Sequence, residues 1–153
     1  MDPRLCPVHL DPSEMLPLDR RVALVVEDDV DNLELSRSVL EEQGCMVFAC
    51  LDGKMALHTL MNEQVIPDVI VLDYGLPGGM NGEQFLRFVT KSLKLTIPTV
   101  LISGQNPHDG LIRRVRSYLP KPYNDEDLVR HVVDAIVIPK PPYSSSALLI
   151  SSL

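Results

Sequence analysis

One stretch limits the fold more than any other: an apolar run that stops on a carboxylate. Val69-Ile70-Val71-Leu72 is short and rich in β-branched side chains, and Asp73 follows at once. A run of this kind, bounded by turn residues, reads as a strand buried on both faces. Gly75, Pro77, Gly78 and Gly79 then break regular structure. Asp73 therefore stands at the C-terminal end of a buried strand, where the chain turns. That edge is where open parallel sheets bind ligands. Taken alone, Asp73 is equally well explained as a turn-capping residue. What the rest of the chain brings to the same edge decides between the two.

The pattern recurs. Arg21-Val22-Ala23-Leu24-Val25-Val26 is a second apolar run, and Glu27-Asp28-Asp29 follows it. From Val30 the period changes to that of a helix carrying Leu33, Val39 and Leu40. Asp29 or Asp31 supplies its N-terminal anion, and Gly44 closes it. Met46 to Cys50 is the second strand, and Lys54 to about Gln64 the second helix, with Ala56, Leu57, Leu60 and Met61. After the strand ending at Asp73, Asn81 caps a third helix whose buried face is predicted to be Phe85, Leu86, Phe88 and Val89. Ile97 to Ser103 is a fourth strand, with Pro98 tolerated only near its start. Asp109 to Val115 is a short fourth helix, and Tyr118 to Pro120 a short fifth strand. Asn124 to Asp127 opens a last helix carrying Leu128, Val132, Val133, Ile136 and Val137.

Strands alternating with helices imply an α/β fold with a parallel sheet covered on both faces. Right-handed crossovers leave few topologies. The expectation is a doubly wound five-stranded sheet of order 2-1-3-4-5, flavodoxin-like. The domain is placed at 20–138, behind a leader over 1–19 and ahead of a Pro- and Ser-rich tail over 139–153. The tail's prolines stop the helix, and its Ala147-Leu148-Leu149-Ile150 reads as a loose apolar end.

A net charge of −7 argues against a nucleic-acid surface, which needs a basic stripe. No apolar run approaches the length that spans a bilayer, and the first residues lack a signal-peptide core. The three cysteines, Cys6, Cys45 and Cys50, form no C-x-x-C pair. These features suit a cytoplasmic protein. His9, His58, His108 and His131 share no spacing and read as surface residues. Arg113, Arg114 and Arg116 read as a solvated face, with an acidic partner or a second copy of the chain as the alternative.

In the 2-1-3-4-5 order, the ends of the first, third, fourth and fifth strands share one edge. They carry Glu27-Asp28-Asp29, Asp73, Ser103 and Lys121. Clustered carboxylates either rise in pKa or bind a cation, and a few short acidic arms suit Mg²⁺. A metal, an ammonium and a hydroxyl around one carboxylate can hold a phosphoryl group, and an ionised Asp can accept it.

These residues carry a resemblance. Val25-Val26-Glu27-Asp28-Asp29, Asp73-Tyr74-Gly75-Leu76-Pro77, Ile102-Ser103-Gly104 and Leu119-Pro120-Lys121-Pro122 stand in order at the ends of alternating strands. The chain resembles the receiver domain of two-component response regulators over roughly residues 20 to 138.

The resemblance implies that Asp73 is the phosphoacceptor. It implies that Asp28 ligates Mg²⁺ directly, that Glu27 holds a metal-bound water, and that the Gly75 carbonyl completes the metal site. Ser103 matches the switch hydroxyl, Lys121 the phosphate-pairing lysine and Tyr118 the switch aromatic, and Lys121-Pro122 is expected to be cis. The donor is a histidine kinase or a histidine phosphotransfer protein, and signalling runs through protein contact without a DNA-binding output domain. The chain is not expected to be an enzyme. Two other readings stay open: a receiver-like interaction module that is never phosphorylated, and a Mg²⁺-dependent phosphatase with an Asp nucleophile. Between Ser103 and Lys121 the chain is shorter than the family pattern and lacks its Ala-Gly turn, so the fourth helix region is expected to be shortened.

Overall fold

Strand and helix alternate through the whole of the computed structural model, which describes residues 16–63 and 65–137, with Val137 described by its backbone alone. Cys6, His9 and the tail over 139–153 lie outside the described residues. The elements run β1 (Val22–Val26), α1 (Val30–Glu42), β2 (Met46–Cys50), α2 (Gly53–Asn62), β3 (Val69–Asp73) and α3 (Gly82–Arg87). They continue with β4 (Thr99–Ser103), α4 (Asp109–Arg114), β5 (Ser117–Pro120) and α5 (Asp125–Val137). All strands pair in parallel, in the order β2-β1-β3-β4-β5. This is the doubly wound, flavodoxin-like architecture that the alternation predicts.

Side chains alternate across the sheet, so each apolar run feeds two cores. Ala23, Val25, Val69, Val71, Val100 and Ile102 face α1 and α5. Leu24, Val26, Ile70, Leu72 and Leu101 face α2, α3 and α4. Burying a side chain of this size contributes about 1.5–3 kcal/mol, and β3 and β4 are buried at every position. Asp68 ties the strand starts together: its Oδ2 accepts from the Val22 N–H at 2.8 Å, and Arg21 approaches its Oδ1 at 3.7 Å.

The helices begin where their caps dictate. Asp29 Oδ1 accepts from the Asn32 N–H at 3.0 Å, and Asp52 Oδ1 from the Met55 N–H at 2.8 Å. Asn81 and Gln84 form a reciprocal capping box at α3. Asp29 rather than Asp31 thus caps α1, and Asp31 lies within its first turn. The turn after α1 requires Gly44: its φ is +93°, and a Cβ there would lie 2.9 Å from Asp19 Cα. That turn receives residues upstream of β1. The Leu18 N–H bonds Gln43 O at 3.0 Å, and the Leu18 side chain is wholly buried.

The third helix departs from expectation. After Arg87 it widens into a π-helical turn over Phe88–Ser92, with the Leu93 N–H bonded to Phe88 O at 3.1 Å. The inward stripe becomes Phe85, Leu86 and Val89, with Leu93 packed against it. Phe88, expected on the buried face, is 36 % exposed because helical spacing sets it on the other side of Phe85 from Leu86 and Val89.

Candidate functional site

Register explains why the polar groups meet. Val26 pairs with Leu72, Asp73 with Ile102, and Ser103 with Pro120. Glu27, Asp73, Ser103 and Lys121 are therefore neighbours at the C-terminal edge of the sheet. They line a cleft of about 430 Å³ together with Asp28, Gly75, Gly104 and Gln105. Glu27, Asp73 and Ser103 are buried, and Asp28 is exposed at the mouth.

One carboxylate oxygen each from Glu27, Asp28 and Asp73 lies within 4.8 Å of the others. Lys121 Nζ stands 3.4 Å from Asp73 Oδ2 and 3.6 Å from Glu27 Oε2. The Gly75 N–H donates to Asp73 Oδ1 at 3.1 Å, and the Asp29 N–H to Glu27 Oε1 at 3.1 Å. These donors do not offset the crowding at Glu27. Burial raises its pKa to about 7, and the Asp73 charge adds to the rise against the Asp29 N–H and Lys121. At Lys121 burial acts to lower the pKa, but the charges of Asp73 and Glu27 outweigh it and the net shift is upward. A site that holds protons on a carboxylate near neutrality, with oxygen ligands converging, fits a hard divalent cation. Glu27, Asp28 and Asp73 are the side chains that could hold one.

The Ser103 hydroxyl is hydrogen-bonded to Gln105 and not to Asp73. It donates to Gln105 O and accepts from the Gln105 N–H, both at 2.8 Å. The Tyr118 hydroxyl donates to the same Gln105 carbonyl at 3.0 Å. Ser103 and Tyr118 are thus joined through one backbone oxygen. The Lys121–Pro122 peptide bond is cis.

A sequence profile of the response regulator receiver domain matches residues 23–133. The chain belongs to this family. This receiver is 31% identical, over 118 residues, to the phosphate regulon transcriptional regulatory protein PhoB of Escherichia coli K12, a match covering 74% of the chain and 50% of PhoB. It is 32% identical over 114 residues to an uncharacterized 14.6 kDa protein of Leptolyngbya boryana, covering 71% of this chain and 85% of that one. The chain spans about half the length of the PhoB sequences it matches. Among solved structures, the Francisella response regulator 1452 receiver domain superposes with a TM-score of 0.66 at 24% identity, over 76% of this chain and 96% of that one. A CheY-like receiver domain protein from Methanospirillum hungatei gives 0.65 at 24%, over 75% and 93%. The family places the chain in two-component signalling, and acidic Mg²⁺ pockets and phosphorylation are typical of it.

Sequence reasoning missed several participants in this receiver. Gln105 acts through its backbone, which no side-chain motif reports. Gly82 lets α3 begin against β3: a Cβ there would lie 2.8 Å from Asp73 O. His108, read as a surface residue, caps α4 by accepting the Leu111 N–H at Nδ1, 3.1 Å away. Its Nε2 meets Glu83 Oε2 at 2.9 Å, and Arg114 reaches the same oxygen at 2.9 Å. The carboxylate of α3 thus fastens the shortened α4, and the His108 hydrogen bond holds the Glu83 pKa below its usual value. His131 likewise bonds Ser117, between α5 and β5.

Proposed function

We propose that this receiver accepts a phosphoryl group on Asp73 from a phosphohistidine of a histidine kinase or phosphotransfer protein, and signals by protein contact in the cytoplasm. The observation that carries the reading is the placement of Asp73, with Lys121 Nζ at 3.4 Å and two further carboxylates within 4.8 Å. An Asp73 oxygen attacks phosphorus, the P–N bond of the donor breaks, and its imidazole nitrogen keeps the electron pair. The product is an acyl phosphate.

Glu27, Asp28, Asp73 and the Gly75 carbonyl would hold Mg²⁺, which supplies charge neutralisation for the phosphoryl oxygens. Lys121 pairs with one of those oxygens from its present position. Ser103 exchanges its Gln105 partner for another, and in doing so frees the carbonyl to which Tyr118 is bonded. A local charge change then biases the β4–α4 loop, which a partner reads. The second residue after Asp73 is Gly75, whose lack of a side chain denies the site the extra acid that repeated turnover would require. One modification per chain, with slow reversal, is the reading this supports.

The test is intact mass after incubation with acetyl phosphate, with Mg²⁺ or with chelator, on wild type and Asp73→Ala. One phosphoryl group gained with Mg²⁺, and lost in the variant, is expected. No gain under any divalent ion would make the chain a receiver-like interaction module instead. Continuous phosphate release from an added phosphomonoester would make it a phosphatase.

A further inference from the structure

A second concave site lies at the opposite end of the sheet from Asp73. It opens between α3 with its π-helical turn, the start of β4 and the end of α4, and its volume is about 340 Å³. Thr99 opens β4 and Ser103 closes it, which separates this cavity from the acidic cleft by roughly 13 Å of strand at about 3.3 Å per residue.

Its lining is unusual for this chain. Net charge is −7 and Lys plus Arg number 14, yet Arg87, Lys91, Arg113 and Arg114 all line this one cavity and no Asp or Glu does. Arg87 and Arg114 are partly neutralised by Glu83, at 3.7 and 2.9 Å. Lys91 and Arg113 have no ion-pair partner among the described residues. A solvated face would spread such charges; here they surround a floor of Leu86, Val89 and Ile97, all buried. Thr90 and Thr99 spend their hydroxyls on the carbonyls of Leu86 and Ile97, whereas the Thr96 hydroxyl at the exposed edge has no hydrogen-bond partner among the described residues. Lys91 lies within the π-turn, a distortion that recurs at functional sites.

We propose that this cavity binds a small organic phosphate. Its apolar body would rest on the Leu86–Val89–Ile97 floor, and its phosphate would be held by Lys91 and Arg113 with Arg87 and Arg114 beside them. The volume falls in the range of small-ligand sites, which combine apolar walls with a few convergent polar groups. Arginine forks match the tetrahedral oxygens of a phosphate, and a dianion matches two unpaired cations better than a single carboxylate does. Charge complementarity thus fixes one end of the ligand, and the floor fixes the other.

The experiment is a ¹H–¹⁵N correlation titration of the full chain with 1-naphthyl phosphate, in chelator so that the acidic cleft holds no divalent ion. Inorganic phosphate and 1-naphthol serve as the two halves of the probe. Saturable shifts confined to amides of residues 86–99 and 111–116 are expected, with the whole probe about tenfold tighter than either half, or more. In Lys91→Glu/Arg113→Glu the affinity should fall by about tenfold or more, and in Lys91→Gln/Arg113→Gln by less. Both residues are exposed and have no ion pair among the described residues, so a spectrum unchanged elsewhere will report an intact fold. Shifts that map to another surface, or that ignore the charge reversal, would overturn the site. Inorganic phosphate binding as tightly as the whole probe would reduce it to a charge patch. Binding only of an acidic peptide would replace it with a protein contact. Labelling of Asp73 by acetyl phosphate should be unaltered in both variants, which separates failure here from failure of the phosphoacceptor reading.

Discussion

At the scale of single residues, Glu27 is the most informative group. Its pKa rises from 4.5 to about 7 because it is buried beside Asp73. Between those values the folded chain binds more protons than the unfolded one, so stability falls as pH rises. The strain is absent at pH 4 and fully present above pH 7. Glu27→Gln removes the charge and keeps the shape. In chelator its Tm should exceed that of wild type by ~5 °C at pH 8, on the usual conversion of 1–2 kcal/mol for a domain of this size. At pH 4 the two should coincide. A thermal melt at both pH values decides, and a difference independent of pH would remove Glu27 as the source. Gly82 makes a different demand. With Asp73 O 2.8 Å from where a Cβ would stand, Gly82→Ala must push α3 away from β3, at a cost of ~1–3 kcal/mol. Urea denaturation measures that cost. The acetyl phosphate labelling rate should fall as well, since the displaced backbone is that of Asp73.

At the scale of elements, the link between α3 and α4 is the feature to perturb. Glu83 bonds His108 and Arg114 across 25 and 31 residues of chain, and α4 has only 6 residues with which to hold itself. Glu83 has its pKa lowered, so its contribution is present above the usual carboxylate range and is lost as pH falls through the folded value. Glu83→Gln should therefore speed amide exchange in 109–114 by about fivefold above pH 6, given ~1 kcal/mol for a partly exposed charged cluster, and leave exchange in β1 and β3 unchanged. Equal protection of α4 in both proteins would show that its apolar face alone holds it. The same contacts show why the sequence was only partly legible. The strands could be read because Val22–Val26 and Val69–Asp73 are buried on both faces and so carry continuous apolar runs. The carboxylates at their ends were legible for the same reason: a charged residue terminates such a run. Asn81 and Asp29 announced their helices by local capping. The π-turn does not announce itself, because one widened turn leaves no periodic trace, and Phe88 is as apolar as its buried neighbours although it stands at the edge of their stripe. The Gln105 carbonyl and the Glu83–His108 bond rest on backbone and long-range geometry, to which a local pattern is blind.

At the scale of the whole molecule, parallel topology and charge act together. A doubly wound sheet sends the C-terminal ends of its strands to one edge, and in this chain those ends carry Glu27, Asp28 and Asp73 against, among the described residues, the single ammonium of Lys121. A surplus of negative charge is thus built into the edge by the order of the strands. A cation that binds there stabilises the fold by mass action, by about 2.7 kcal/mol at a hundredfold excess over its Kd, which for a domain of this size is a rise in Tm of ~10 °C. Mg²⁺ should give that rise, and an equal ionic strength of a monovalent salt should not. Because Glu27 must lose its proton as the cation enters, the rise should grow from pH 6 to pH 8, through the Glu27 pKa near 7. Asp28→Asn should abolish most of the effect with little change in the melt in chelator, since Asp28 is exposed at the cleft mouth and is not part of the buried core. Calorimetry on both proteins, at both pH values, provides the check. Identical melts in Mg²⁺ and in chelator would mean that Lys121 alone balances the edge, and the acidic cluster would then be a source of strain without a ligand.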